Sequence, residues 1–208
     1  MLELIVILAV IGIVAAMLSP MVTSYLDDAK MAGADADVKQ IGGAIIKLST
    51  DVAHFPVYRD GNRTNGEPDI HLLKGPGNDP LDYTGPGPGL GQGHGQGEAL
   101  GLGAGPGWFG TTKIGDLGDH LTTNNPGAVA YRTAGRHRWR GPYLEQLGAD
   151  PWGNRYLVNI KHAGPGDGEP KVVWVLSAGP NGKIDTGPSV AADGSPVPAG
   201  DDIVYRIK

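Results

Sequence analysis

Residues 1–21 read MLELIVILAVIGIVAAMLSPM, and from Leu4 to Leu26 the chain carries no charged side chain. About 20 predominantly apolar residues suffice to cross a bilayer as a helix, so this stretch is competent to span a membrane. Glu3, at its leading edge, would cost about 2.5 to 3.5 kcal/mol near mid-bilayer, which places it at headgroup level or opposite a cationic partner. The second option implies assembly. The plainer alternative is an ordinary single-pass anchor or an uncleaved signal peptide, although the basic region that opens a signal peptide is not among these residues.

Beyond Pro20 the helical pattern continues on a different face. Ala34, Val38, Ile41, Ile45, Leu48, Val52 and Phe55 recur at steps of four and three, forming one apolar stripe of an amphipathic helix. Asp27, Asp28, Lys30, Asp35, Asp37, Lys39 and Lys47 lie mostly off that stripe. One long helix is therefore expected to leave the membrane near Tyr25, lay its stripe on a globular head and close at Phe55, where Pro56 disfavours further helix.

Without the apolar segment about 180 residues remain, enough for one domain. Aromatic residues make up 6% of the chain and Gly accounts for 35 of 208 positions, so the core is expected to be modest and the loops long. There is no Cys to staple it, which leaves metal binding or subunit packing as substitutes. The net charge of −5 weighs against a general nucleic-acid surface.

Residues 57–73 read as a polar, solvated loop. From Gly75 to Gly110 there are 14 Gly in 36 residues, with Pro at 76, 80, 86, 88 and 106, so this stretch reads as a surface insertion that cannot pack a core of its own. Leu117, His120 and Leu121 suggest a short helix. The basic run 131–141 follows, with Arg132, Arg136, His137, Arg138 and Arg140 around Trp139. Basic and aromatic residues together suit a single-stranded nucleic acid or phosphate surface, but pairing with the chain's many carboxylates, within or between subunits, is the preferred reading. Asp150-Pro151 and Gly153-Asn154 predict tight turns. Strands are expected over 156–160, 171–177 and 203–207. The six His, at 54, 71, 94, 120, 137 and 162, form no HxxxH pair, and with no Cys and no nucleophile elbow the residue supply does not suggest an enzyme.

Two sets of residues carry a family resemblance. Glu3, Gly12 nine residues on and Pro20 seventeen residues on resemble the mature N-terminus of type IV pilins and pseudopilins. WRGPYL at 139–144, then DPWGN at 150–154 and an alternating strand, resemble the middle of the major pseudopilin of type II secretion. The likeness covers residues 1–56 and 139–208 well and 57–138 poorly. Family precursors carry a short basic leader ending in Gly, then usually Phe and a polar residue. Met1 falls about two residues inside that point, so the expectation is a trimmed or misassigned start, or different processing.

The resemblance implies an α+β fold: a long N-terminal helix, the spine, packed on a small antiparallel β-sheet with long Gly/Pro-rich loops. The divisions would be 1–24 as membrane and filament core, 25–56 as the amphipathic half of the spine, and 57–208 as the head, including the 75–110 insertion and a 176–202 loop. It implies a structural subunit that waits in the inner membrane, is processed by a prepilin peptidase, and is lifted by assembly machinery into a helical homopolymer at the cell surface. Glu3 would neutralise the terminal amine of a neighbour, and the helix from Gly12 to Pro20 would loosen in the filament. The alternatives are a type II secretion pseudopilus and an adhesive or DNA-uptake pilin using Arg132, Arg136, Arg138 and Arg140. The resemblance also implies one Ca²⁺ in the C-terminal loop. The matching positions are Leu176, Ser177, Asn181, Asp201 and Asp202, with Asp185 and Asp193 as further oxygen donors, because Asn181 stands where the family more often has Asp and the stretch from Thr186 to Gly200 is longer than usual.

Overall fold

The computed structural model describes residues 2–59, 61, 70–81, 113–160, 163, 173–187 and 198–207. Most of the Gly-rich insertion, and Asp193, lie outside the described residues. The elements in chain order are α1 (Leu2–Val52), β1 (Leu72–Lys74), β2 (Ile114–Asp116), α2 (Leu117–Leu121), β3 (Leu157–Asn159), β4 (Trp174–Ser177) and β5 (Ile203–Arg206).

Helix α1 is one unbroken element of 51 residues that passes through Gly12 and Pro20. Its N-terminal part is long and apolar enough to cross a membrane, and among the described residues none of that part is buried. Burial begins at Ala34 and follows the stripe through Val38, Ile41, Ile45, Leu48 and Val52. The helix stops at Val52, short of Phe55: Ala53 turns into the left-handed region (φ 66°), a conformation few residues other than Gly adopt. The Asp51 carbonyl at this end accepts a hydrogen bond from Arg138 N at 3.0 Å, so the basic loop supplies a donor to one of the orphan carbonyls of the last turn.

The sheet has the order β2-β1-β3-β4-β5. The expected strands β3, β4 and β5 pair antiparallel, with Val158 opposite Val175 and Val175 opposite Tyr205. The sheet is nevertheless mixed rather than antiparallel, because β1 pairs parallel with β2. The supposed solvated loop at 57–73 contributes Val57, Tyr58, Ile70, Leu72 and Leu73 to the interior. Three-residue strands are too short to show the alternation that marks a strand in sequence.

Alternating side chains of the sheet serve two apolar clusters. Leu73, Val158, Val175 and Ile203 meet the α1 stripe, while Leu72, Leu157, Trp174 and Leu176 pack with Ala178 and Ile184 on the opposite face. This double burial explains why KVVWVLS is nearly continuously apolar where a half-solvated strand would alternate. Gly42 sets the closeness of helix to sheet, since a Cβ there would lie 2.5 Å from Cε1 of Tyr205 on β5.

Candidate functional site

Three regions carry the residues singled out by sequence. In the first, Leu4 to Met17 and Met21 to Leu26 stand exposed on α1, and the space where a Cβ on Gly12 would lie is empty. Glu3 is also exposed, and among the described residues no cation pairs with it inside the chain. The structure thus presents the apolar segment with its solitary carboxylate as a surface left uncovered among the described residues.

The second region is the C-terminal loop between β4 and β5. It begins beside the 150–154 turn, where Asp150, buried, accepts from Trp152 N at 3.0 Å and Asn154 N at 2.8 Å through Oδ1. Its Oδ2 accepts from the Ser177 hydroxyl at 2.8 Å. The side chain of Leu176 points into the second apolar cluster. The side chains of these two sequence-selected residues therefore serve the fold. The sequence marks Asp150 as a turn former, but its bond to Ser177, 27 residues away, has no signal in sequence.

Farther along, the loop gathers Asn181, Asp185, Asp201 and Asp202. Asp201 Oδ2 accepts from Asn181 N at 2.9 Å, and Asp202 Oδ2 accepts from the backbone N–H of Asp185 at 2.9 Å and of Thr186 at 2.6 Å. Asn181 Nδ2 donates to Asp185 Oδ2 at 3.0 Å. Asp201 Oδ1 and Asp202 Oδ1 are both buried and lack a partner among the described residues. Burial raises the pKa of Asp202 above its ordinary value, although Thr186 and Asp185 stabilise the charged form. Lys183, 2.9 Å from Asp185 Oδ1, holds that carboxyl below the usual range.

Two orphaned carboxylate oxygens with an amide and a third carboxylate nearby fit a hard cation by donor chemistry, which favours all-oxygen coordination. Among the described residues no three acidic or His side chains already form a metal-holding cage. A cation would therefore have to draw the oxygens inward, in competition with Lys183.

The third region is the distal end of α1. Trp139 N bonds to Arg132 O at 2.8 Å and folds the basic run into a loop, and Trp139 Nε1 donates to His120 O at 3.1 Å. Arg140 Nε lies 3.7 Å from Asp51 Oδ1, while Arg132, Arg136, His137 and Arg138 are exposed. A cleft of about 140 Å³ at this end is lined by Val52, Ala53, His54, Tyr131, Arg132 and His137. Beneath it His120 is fully buried on α2, with Nδ1 2.5 Å from the Tyr131 hydroxyl and Nε2 unpartnered among the described residues. Burial, reinforced by His54, pushes its pKa down to about 3. Sequence marked His120 only as part of a short helix.

Comparison with protein-family models, with curated proteins and with solved structures returned no match. The functional reading therefore stands on the geometry of the chain and on the motifs in its sequence.

Proposed function

We propose that the chain is a structural subunit that polymerises through its N-terminal helix into a pilus-like filament, as its resemblance to type IV pilins and pseudopilins suggests. The observation that carries this reading is the division of α1. An apolar segment that none of the described residues covers continues without a break into a half whose stripe is buried in the head. A flexible tether would serve a simple anchor equally well, whereas a rigid spine fixes each head relative to a bundle of its neighbours' helices.

Before assembly, Leu4 to Leu26 span about 33 Å as a helix, matching a hydrocarbon core of about 30 Å. On assembly, packing against other helices replaces lipid, and the terminal amine of a neighbour pairs with Glu3. Gly12 and Pro20 weaken the helix in that zone, since Gly costs about 1 kcal/mol and Pro removes a backbone hydrogen bond. In the head, Asn181, Asp185, Asp201 and Asp202 would hold one Ca²⁺, with Leu176 and Ser177 supplying backbone rather than side-chain oxygens. The ion, when bound, neutralises the adjacent carboxylates and closes the loop that no disulfide closes.

The test is Glu3→Ala in cells that carry the assembly machinery. Membrane insertion and head stability are expected to persist while the yield of sheared fibres collapses. Fibres at the wild-type yield would refute the role of Glu3, and a wild-type chain that stays monomeric in the membrane would refute the polymer.

A further inference from the structure

The basic loop at the end of α1 takes no part in the reading above. Among the described residues only Arg140 of its side chains lies within ion-pair distance of a carboxylate. Arg138 donates to Gly135 O, within the loop, at 3.3 Å. Arg132 and His137 face the cleft beside His54 and leave it basic.

A complementary patch stands at the other end of the head-bearing half of the helix. Asp27 and Asp28 are exposed directly after the apolar segment, near Lys30, with no ion pair among the described residues. The next carboxylates are already engaged: Asp35 with Lys39 at 2.6 Å, and Asp37 with the Tyr156 hydroxyl at 2.7 Å. Among the described residues the acids and bases without ion pairs therefore stand at opposite ends of the head-bearing half of α1, the bases on a loop held there by the Arg138 N to Asp51 O bond. Asp28 and Asp51 are separated by about 35 Å along the axis, at 1.5 Å per residue. Within one chain they do not meet.

We propose that Asp27 and Asp28 of one subunit dock on the loop of a second copy of this chain, with a carboxylate entering the cleft between Arg132 and His137. The inference rests on the polymer reading, because parallel helices offset by about 35 Å bring the two patches level. Arg engages carboxylates through paired hydrogen bonds, so the contact fixes register as well as proximity. A second copy is favoured over a polyanion because the matching acids lie on the same chain at the point where the spine leaves the apolar bundle, and the net charge of −5 repels polyanions.

The natural chain contains no Cys, so Asp28→Cys combined with Arg136→Cys gives a clean probe. In assembled fibres a short bis-maleimide is expected to link the double variant into a ladder well beyond dimers, with no ladder from either single variant. In parallel, Arg132→Glu with Arg136→Glu is expected to lower fibre yield about tenfold, and adding Asp27→Lys with Asp28→Lys to restore most of it. Fibres at full yield with no ladder overturn the docking and leave the polymer standing. Loss of oligonucleotide binding in the Glu variant, with assembly unchanged, also overturns it and assigns the loop to a polyanion. A wild-type chain that forms no fibre overturns the polymer and the docking together.

Discussion

Replacing Asp202 by Asn separates a cation site from a loop that is merely capped. Asp202 Oδ2 already serves two backbone donors, while Oδ1 is buried without a partner among the described residues. Burial raises its pKa, so its contribution to stability is complete below the ordinary value of 3.8 and is lost as pH rises through the folded-state value. At neutral pH without a cation the carboxylate is a liability. Asp202→Asn keeps an acceptor for both N–H groups and is expected to match or exceed wild-type stability in chelator. Calcium reverses the order. With a Kd on the order of 0.1 to 1 mM, about 10 mM calcium stabilises the wild type by about 1.4 to 2.7 kcal/mol. For a domain of this size that raises the unfolding midpoint by about 3 to 11 °C. The assay is thermal unfolding of a fragment from Leu26 onward, which keeps the whole core because burial starts at Ala34. Equal midpoints for the wild type in calcium and chelator, or an equal calcium gain in Asp202→Asn, would refute the cation site.

Asp150→Ala removes the acceptor for Trp152 N, Asn154 N and the Ser177 hydroxyl, and is expected to cost about 3 to 5 kcal/mol in urea unfolding, with Asp150→Asn costing far less. Leu48→Ala, in the buried stripe, is expected to cost about 2 to 5 kcal/mol, whereas Met21→Ala, on the exposed segment, should change head stability by less than about 0.5 kcal/mol. His120 is buried neutral, so its stabilising contribution is present above 6.5 and is lost as pH falls toward about 3. Between pH 6.5 and 5, before most carboxylates titrate, the fragment should lose up to about 1.4 kcal/mol per pH step, and His120→Gln should abolish that slope.

The long helix was legible because its two halves obey different rules that each leave a mark: an uncharged run long enough for a bilayer, then a period near 3.6. The strand at 174–177 was legible through its apolar run, and α2 through Leu117, His120 and Leu121. What escaped was short or non-local. Leu72–Lys74 is read as loop because turn residues surround it, and its parallel pairing with Ile114–Asp116 depends on an excursion of about 40 residues that no local pattern encodes. At the C-terminal loop the sequence indicated oxygen-rich chemistry and the structure gathers Asn181, Asp185, Asp201 and Asp202. It could not reveal that the Ser177 hydroxyl is committed to Asp150, since that choice depends on β4 passing beside the turn.

The division of α1 also separates two properties that a uniform helix would couple. Head stability draws on the stripe from Ala34 to Val52, on Gly42 beside Tyr205, and on Tyr156 reaching Asp37, all beyond the apolar segment. Assembly, on the proposed reading, draws on Glu3 to Asp28, where no side chain is buried in the chain among those described. Substitutions before Asp28 should therefore alter fibre yield at constant head stability, and those in the buried stripe from Ala34 to Val52 should lower stability first. Helix continuity connects the zones mechanically. In the proposed filament a head attached through a rigid rod would transmit its orientation to the bundle, and loosening near Gly12 to Pro20 would let the core adapt its packing without moving the stripe off the sheet.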